Sequence, residues 1–332
     1  MIEDFQFIPD AGHAARCDRA MHVGLADSLR QICDASEGKV PFARAAIERL
    51  IGQIESGRRL SPHAFAIYYD LVPALINDRL DDARGLFAEL AREQPVEASF
   101  RMLALGEPAL ANQAERYLRF MNGDLDYKYV FLPPSAEDVA AFSRQFAGVM
   151  DLLQQATPEF VAELKALIAE LILVVGPKDA RVHFDGGSSY QLWGALFLNA
   201  VRHTTRIDVI DALAHESAHS RLFGLCTDEA AVKNPDDELH PSPLRPEPRP
   251  MDGVYHATFV SARMHWVMSR LVSSDLLTEE ERALAIQARD ADRRNFERGY
   301  ETVAAHGQLT RTGQLALDAA RAYMSEAASR AA

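Results

Sequence analysis

The chain has 332 residues, 48% apolar and 25% charged, a composition typical of folded proteins and long enough for one large domain or two ordinary ones. A formal net charge of −13 and a pI near 5.3 argue against nucleic acid or an anionic membrane as the main partner, because phosphate binding needs a basic surface. No stretch approaches the roughly 18 apolar residues of a membrane span. The N-terminus lacks a signal-peptide pattern, and Cys17, Cys33 and Cys226 lack the spacing of a disulfide framework or zinc site, so reduced thiols and a cytoplasmic location are expected.

The first 130 or so residues read as helical. In Pro41 to Ile54 the apolar positions Phe42, Ala45, Ala46, Leu50 and Ile51 recur at helical spacing. His63 to Val72 repeats the pattern until Pro73 stops or kinks it, and Leu80 to Ala91 repeats it again. Asn122-Gly123-Asp124 signals a turn, and Tyr127 to Leu132 a short strand stopped by Pro133-Pro134. Ser135 with Asp138 has the form of a capping box and predicts a helix to about Gln155, followed by another from Pro158 to about Ala169.

After Glu170 the texture becomes β-like. Leu171 to Val175, Arg181 to Phe184 and the bulky run Ser189 to Leu198 read as a sheet of three or so strands, with a turn at Asp185-Gly186-Gly187. Thr205 is a good N-cap for a helix with the apolar stripe Ile207, Ile210, Leu213, Ala214 and Leu222, ending near Gly224. Prolines crowd the stretch from Asn234 to Pro250 and exclude regular helix or central strand there. Helical periodicity returns from Val254 to Leu271, and two charged helices follow Thr278. This order predicts an α+β fold, mostly helical, with a small antiparallel or mixed sheet next to a metal-binding helix. It also suggests a helical N-terminal region, 1–134, ahead of a catalytic region, 135–332.

The metal-binding helix is the one that carries His215-Glu216-Ser217-Ala218-His219. Histidines four apart project from one helical face and reach adjacent positions on one ion. In a peptidase, Glu216 would be the general base acting on metal-bound water. The plain alternative is a pair of surface histidines. A third ligand decides the chemistry. Glu229 or Glu238 would suit a zinc site, Asp228 or Asp237 a non-haem iron site, and His256 either. Apolar neighbours predict burial for His256, and a lone buried histidine is more often a satisfied core residue than a ligand. His240 is a weaker candidate. His265 lies nine residues beyond His256, about half a turn away in direction, so both cannot face one metal. His183 and His203 fall near the sheet, as supporting or solvent-facing groups, and Cys226 reads as a buried inert thiol. Arg245 and Arg249, stiffened by prolines, suit a bidentate carboxylate or a salt bridge to an acid such as Glu247.

Three blocks, GSSYQLWGALFLN, DALAHESAHSRLFGL and SPLRPEPRPMDGVYHATFVSARM, fall in roughly residues 171 to 270. They resemble the HExxH-motif family found beside ribosomal peptide natural-product genes, regarded as 2-oxoglutarate-dependent peptide β-hydroxylases. The resemblance implies Fe(II) rather than zinc, 2-oxoglutarate as cosubstrate and a ribosomal precursor peptide as substrate. It implies His215, His219 and His256 as ligands, and Arg249 or Arg245 as partner of the distal carboxylate of 2-oxoglutarate. Glu216 then orients a ligand or bonds substrate instead of serving as an obligatory base. The strand around Gln191, Trp193 and Ala195 either offers an edge to an extended peptide or packs as core. A zinc metallopeptidase with Glu216 as base and a non-catalytic peptide-binding scaffold are the competing readings.

Overall fold

Helices begin largely where the sequence supplies a cap or a proline. The computed structural model describes residues 5–96, 100–123 and 128–331, and within them the protein is α+β and mostly helical. Helices α1 (Ala11–Ser36), α2 (Arg44–Glu55), α3 (Pro62–Ile76), α4 (Leu80–Leu90) and α5 (Ala114–Met121) occupy the N-terminal part. Pro73 sits inside α3 near its end, so the helix runs past it to Ile76. Helix α6 (Ala136–Ala156) opens with Ser135 and Asp138 bonded to each other's backbone N–H, as a capping box requires. Helix α7 (Pro158–Leu167) follows.

The chain forms two compact units that interleave in sequence. One comprises Arg16–Val139 and Lys165–Ala200, and the other Met1–Ala15, Ala140–Leu164 and Val201–Ala332. The segment 165–200, expected with the catalytic region, thus belongs with the N-terminal helices. The reason is a strand that helical periodicity hid. Strand β1 (Arg101–Ala104) pairs in parallel with β2 (Glu170–Val174), which pairs in parallel with β4 (Ala195–Asn199). Strand β3 (Gly186–Ser188) closes the sheet, antiparallel to β4, giving the order β1-β2-β4-β3. Every residue of β2 and β4 is buried, as central parallel strands demand. Buried Glu170 in β2 accepts from Arg101 at 2.5 Å and from the Tyr117 hydroxyl at 3.0 Å, which ties β1 and α5 to the sheet.

Three expectations here are corrected. Arg181 to Phe184 is irregular, and the glycines at 186 and 187 form β3 instead of a turn. A Cβ at Gly187 would lie 3.0 Å from the Phe184 ring, so only glycine lets β3 approach that closely. Gln191 lies in a 3-10 turn, Tyr190–Leu192, and β4 is bonded to β2 along its length and to β3 through Leu196–Leu198. Of the two readings of the stretch around Gln191, Trp193 and Ala195, an edge for a peptide or a core strand, the core strand is the one found, from Ala195 onward. Of the strand expected at 127–132, Leu132 makes a single bridge to Val175, while Asp124 and Tyr127 lie outside the described residues.

The other unit holds α8 (Arg206–Leu225), α9 (Met251–Val272), α10 (Glu279–His306) and α11 (Arg311–Ala331). Thr205 and Asp208 form the capping box of α8, and Gly224 falls inside the helix, two residues short of its C-cap, Cys226. The proline-rich loop is pinned at its ends by a two-stranded ladder of β5 (Leu239–His240) and β6 (Arg249–Pro250). Helix α9 starts directly after it and is buried around most of its circumference. Helix α10 approaches closely because residue 299 is glycine: a Cβ there would fall 2.2 Å from Thr258 Oγ1. No helix among the described residues is long and apolar enough to cross a membrane.

A buried charge cluster holds α7, α8 and α9 together. Glu163, Arg221 and Arg263 are 2%, 0% and 4% exposed. Arg263 donates to Glu163 Oε1, and Arg221 Nε lies 3.4 Å from Glu163 Oε2. The N-terminal segment completes the cluster: Asp10 N–H donates to Glu163 at 3.0 Å, and Arg263 donates to the Phe7 carbonyl. Removing one partner of such a group leaves an uncompensated buried charge. Glu163→Gln is expected to lose about 3–5 kcal/mol of stability in urea denaturation; a loss under about 1 kcal/mol would contradict this role.

Asp211 on α8 and Asp292 on α10 form a second buried polar pair. Asp211 Oδ1 and Asp292 Oδ2 have no hydrogen-bond partner among the described residues. Burial and then Asp208 raise Asp211 to about 6, while burial and then Asp211 raise Asp292 to about 9. Both lie above the unfolded carboxylate value of about 4, so the folded state holds the proton more tightly. Their contribution is present below about pH 4 and declines as pH rises toward about 9. Asp292→Asn should therefore gain thermal stability over wild type at pH 8.5 and not at pH 4.5; parallel melting profiles across that range would contradict the pairing.

Candidate metal centre

Helix α8 sets Asp211, His215, His219 and Phe223 at intervals of four, along one ridge. Helix α9 brings His256 to the same place. His219 lies between the other two rings: its Nε2 is 3.2 Å from His215 Nε2, and its Nδ1 is 3.0 Å from His256 Nδ1. The rings of His219 and His256 are stacked, 5.3 Å apart and 20° from parallel. Phe223 walls the group, with its ring 6.3 Å from His219 and 5.4 Å from His256. All three histidines are half-buried, so the rings keep a face toward solvent.

Burial sets the protonation. It lowers His215 to about 4, with help from the charge of Arg245. It holds His219 well below the ordinary imidazole value, reinforced by His215 and His256. His256 is lowered by burial while Asp252 works in the opposite direction. At neutral pH all three are neutral imidazoles, the form that ligates metal. The contacts then close as a proton chain, with one N–H shared between each pair of facing nitrogens.

The donor set suits a first-row divalent ion, because neutral imidazole nitrogens are ligands for iron and zinc alike. The 3.2 Å between His215 Nε2 and His219 Nε2 matches the roughly 3.3 Å between nitrogens held about 2.0–2.1 Å from one tetrahedral ion. Still, among the described residues no group of three or more His, Cys, Asp or Glu is poised as a complete metal site. The geometry explains this. His219 turns one nitrogen to His215 and the other to His256, so His256 joins a shared ion only by turning its ring.

The carboxylates considered from sequence are engaged elsewhere or lie on the surface. Glu229 accepts from the Thr312 N–H at 2.7 Å, and Glu238 lies 3.2 Å from His240 Nε2. Asp228 and Asp237 are exposed. His240 stacks on His306, and His265 faces Tyr323. His183 is exposed and His203 buried in its own surroundings. Burial pushes the Cys226 thiol up to about 12, with Asp252 and Glu229 adding to it, which keeps it protonated. Glu216 is buried, with Oε1 4.0 Å from His215 Nε2. Arg245 is exposed on the loop, while half-buried Arg249 is fixed in β6 just ahead of α9.

Two neighbours escaped the sequence reading. Phe223 lies four residues past His219, and Asp252 four before His256, with its Oδ1 3.9 Å from His256 Nε2. The helical repeat that singled out the histidine pair marks both positions. No protein-family model matches the chain, and no curated protein matches it.

His215→Ala and His219→Ala should each weaken Co(II) binding, measured by calorimetry under reducing conditions, by more than the 10- to 100-fold typical of an outer-sphere change. His256→Ala should fall in or above that range. Unchanged affinity in all three would leave the histidines as a hydrogen-bonded chain without a metal.

Proposed function

We propose that the protein is an Fe(II)- and 2-oxoglutarate-dependent oxygenase that hydroxylates the β-carbon of a residue in a ribosomally made peptide in the cytoplasm. The observation that carries this reading is the convergence of three neutral imidazoles, with His219 3.2 Å from His215 and 3.0 Å from His256. His215, His219 and His256 would hold the iron, which when bound supplies oxygen activation coupled to decarboxylation of 2-oxoglutarate. The sequence resemblance across residues 171 to 270 supports iron over zinc.

The remaining roles fall to the protein's own groups. Arg245, whose charge already acts on His215, and Arg249 are the cations for the distal carboxylate of 2-oxoglutarate. Prolines on both sides limit where these guanidinium groups can go, which lowers the ordering cost of binding. Glu216, buried with its carboxylate 4.0 Å from His215 Nε2, would orient a ligand or bond the substrate. Phe223 excludes water from the inner side of His219 and His256. A peptide would approach from the solvent-facing side of the half-buried rings.

One observation favours a zinc metallopeptidase instead: the Glu216 carboxylate, 4.0 Å from His215 Nε2, stands where a general base would act on metal-bound water. The two readings separate in one assay. Iron-loaded protein should form succinate from 2-oxoglutarate and add one oxygen atom to a precursor peptide, seen by mass spectrometry. Peptide cleavage by zinc-loaded protein with no use of 2-oxoglutarate would overturn the proposal. In the same assay Arg249→Ala should raise the KM for 2-oxoglutarate about tenfold or more while changing the peptide KM little. An increase confined to Arg245→Ala would move the contact to Arg245, and no increase in either variant would contradict the assignment.

A further inference from the structure

Helix α9 builds a second polar site beyond the metal centre. His265 lies nine residues past His256, about 13 Å further along the axis. It lines a cavity of about 630 Å³ formed with α10 and α11, within the size range of small-molecule sites. None of the groups proposed for the metal centre lines it.

The charge in this cavity runs against that of the chain. Four arginines line it, Arg270, Arg289, Arg293 and Arg330, against two carboxylates, Asp290 and Glu326, in a protein of net charge −13. Arg289 and Arg330 are paired with those two carboxylates, at 2.8 Å and 2.5 Å. Arg270 lies 3.6 Å from Glu159. Arg293 has no carboxylate within ion-pair distance among the described residues, although it is half-buried. An arginine held in a cavity without a counter-charge is a site for an anion from outside.

A second, independent feature lies in the same wall. His265 is 1% exposed. Its Nδ1 is 2.8 Å from the Tyr323 hydroxyl and 3.4 Å from Ser269 Oγ, but its Nε2 is buried with no partner among the described residues. Unsatisfied buried nitrogens are uncommon because they forgo the hydrogen bonds of water. Burial, then Arg293 and Arg289, lower this ring to about 4, so it adds no charge of its own and stands as a hydrogen-bonding group.

We propose that this cavity binds a small polyanion bearing phosphate or carboxylate groups, gripped by Arg293 and Arg289 with His265, Ser269 and Tyr323 forming its polar wall. Guanidinium forks match both kinds of oxyanion, so the cavity defines the charge and size of the ligand. Trp266, over which Arg270 is stacked at 5.9 Å, gives the site an optical reporter.

The test is calorimetric titration of the full-length protein with pyrophosphate and with citrate at constant ionic strength, alongside Trp fluorescence. At least one of them should bind, and preference between them identifies phosphate or carboxylate as the natural group. Arg293→Gln should weaken binding about tenfold or more, with an unchanged melting temperature. Arg294→Gln, which removes the same charge from the exposed next position, should change it less than about twofold. Arg293→Lys, which keeps the charge and loses the fork, should fall between them. Absence of binding by both anions at millimolar concentration would overturn the proposal, as would equal losses in the 293 and 294 Gln variants.

Discussion

The candidate metal centre depends on one buried carboxylate. Glu163 of α7 is gripped by Arg263 of α9 and lies 3.4 Å from Arg221 of α8. These arginines stand on the two histidine-bearing helices, Arg221 two residues past His219 and Arg263 about two turns past His256. A charge group inside the protein tolerates little displacement, because each ion depends on the other for solvation. It therefore fixes the rotation of α8 and α9, and so the directions in which His219 and His256 point. The N-terminal segment seals it, with Asp10 and Phe7 supplying backbone groups and His13 lying 2.8 Å from Arg221. A start of the chain that looks unremarkable in sequence becomes part of the site's support.

That fixed pair of helices explains the chemistry of the histidines. Burial keeps all three imidazoles below the ordinary value, with Arg245 adding to it at His215 and the two neighbouring rings at His219. A neutral ring can hand its lone pair to a neighbour's N–H or to a metal. The His215–His219 separation already suits the metal. The His219–His256 contact suits the proton chain, and turning His256 converts one arrangement into the other. Asp252, 3.9 Å from the far nitrogen of His256, is placed to accept a hydrogen bond from the ring N–H after such a turn.

Local signals in the sequence account for α8 well. The capping box at Thr205, the histidine spacing and the small residues Ala214 and Ala218 define it without any knowledge of the rest. Ser135 and Thr278 mark the starts of α6 and α10 in the same way. The sheet was less legible. Strand β1 is four residues long, and what makes it a strand is its pairing with β2, some seventy residues later. Gly186 and Gly187 read as a turn because glycine usually marks one, yet here the missing side chain allows β3 to lie against Phe184. Glu163 carried no signal at all, since its partners Arg263 and Asp10 are far away in sequence. His256 was a single histidine among apolar residues until the block resemblance distinguished it, and burial alone could not tell a ligand from a core residue.

The central claim is that His215, His219 and His256 together ligate one metal ion. X-ray absorption spectroscopy of the anaerobically Fe(II)-loaded protein tests it most directly, because multiple scattering from imidazole rings counts the coordinated histidines. The account predicts three imidazole nitrogens at about 2.0–2.2 Å, falling to two in His256→Ala. Two imidazoles in the native protein, with no change on removing His256, would contradict it.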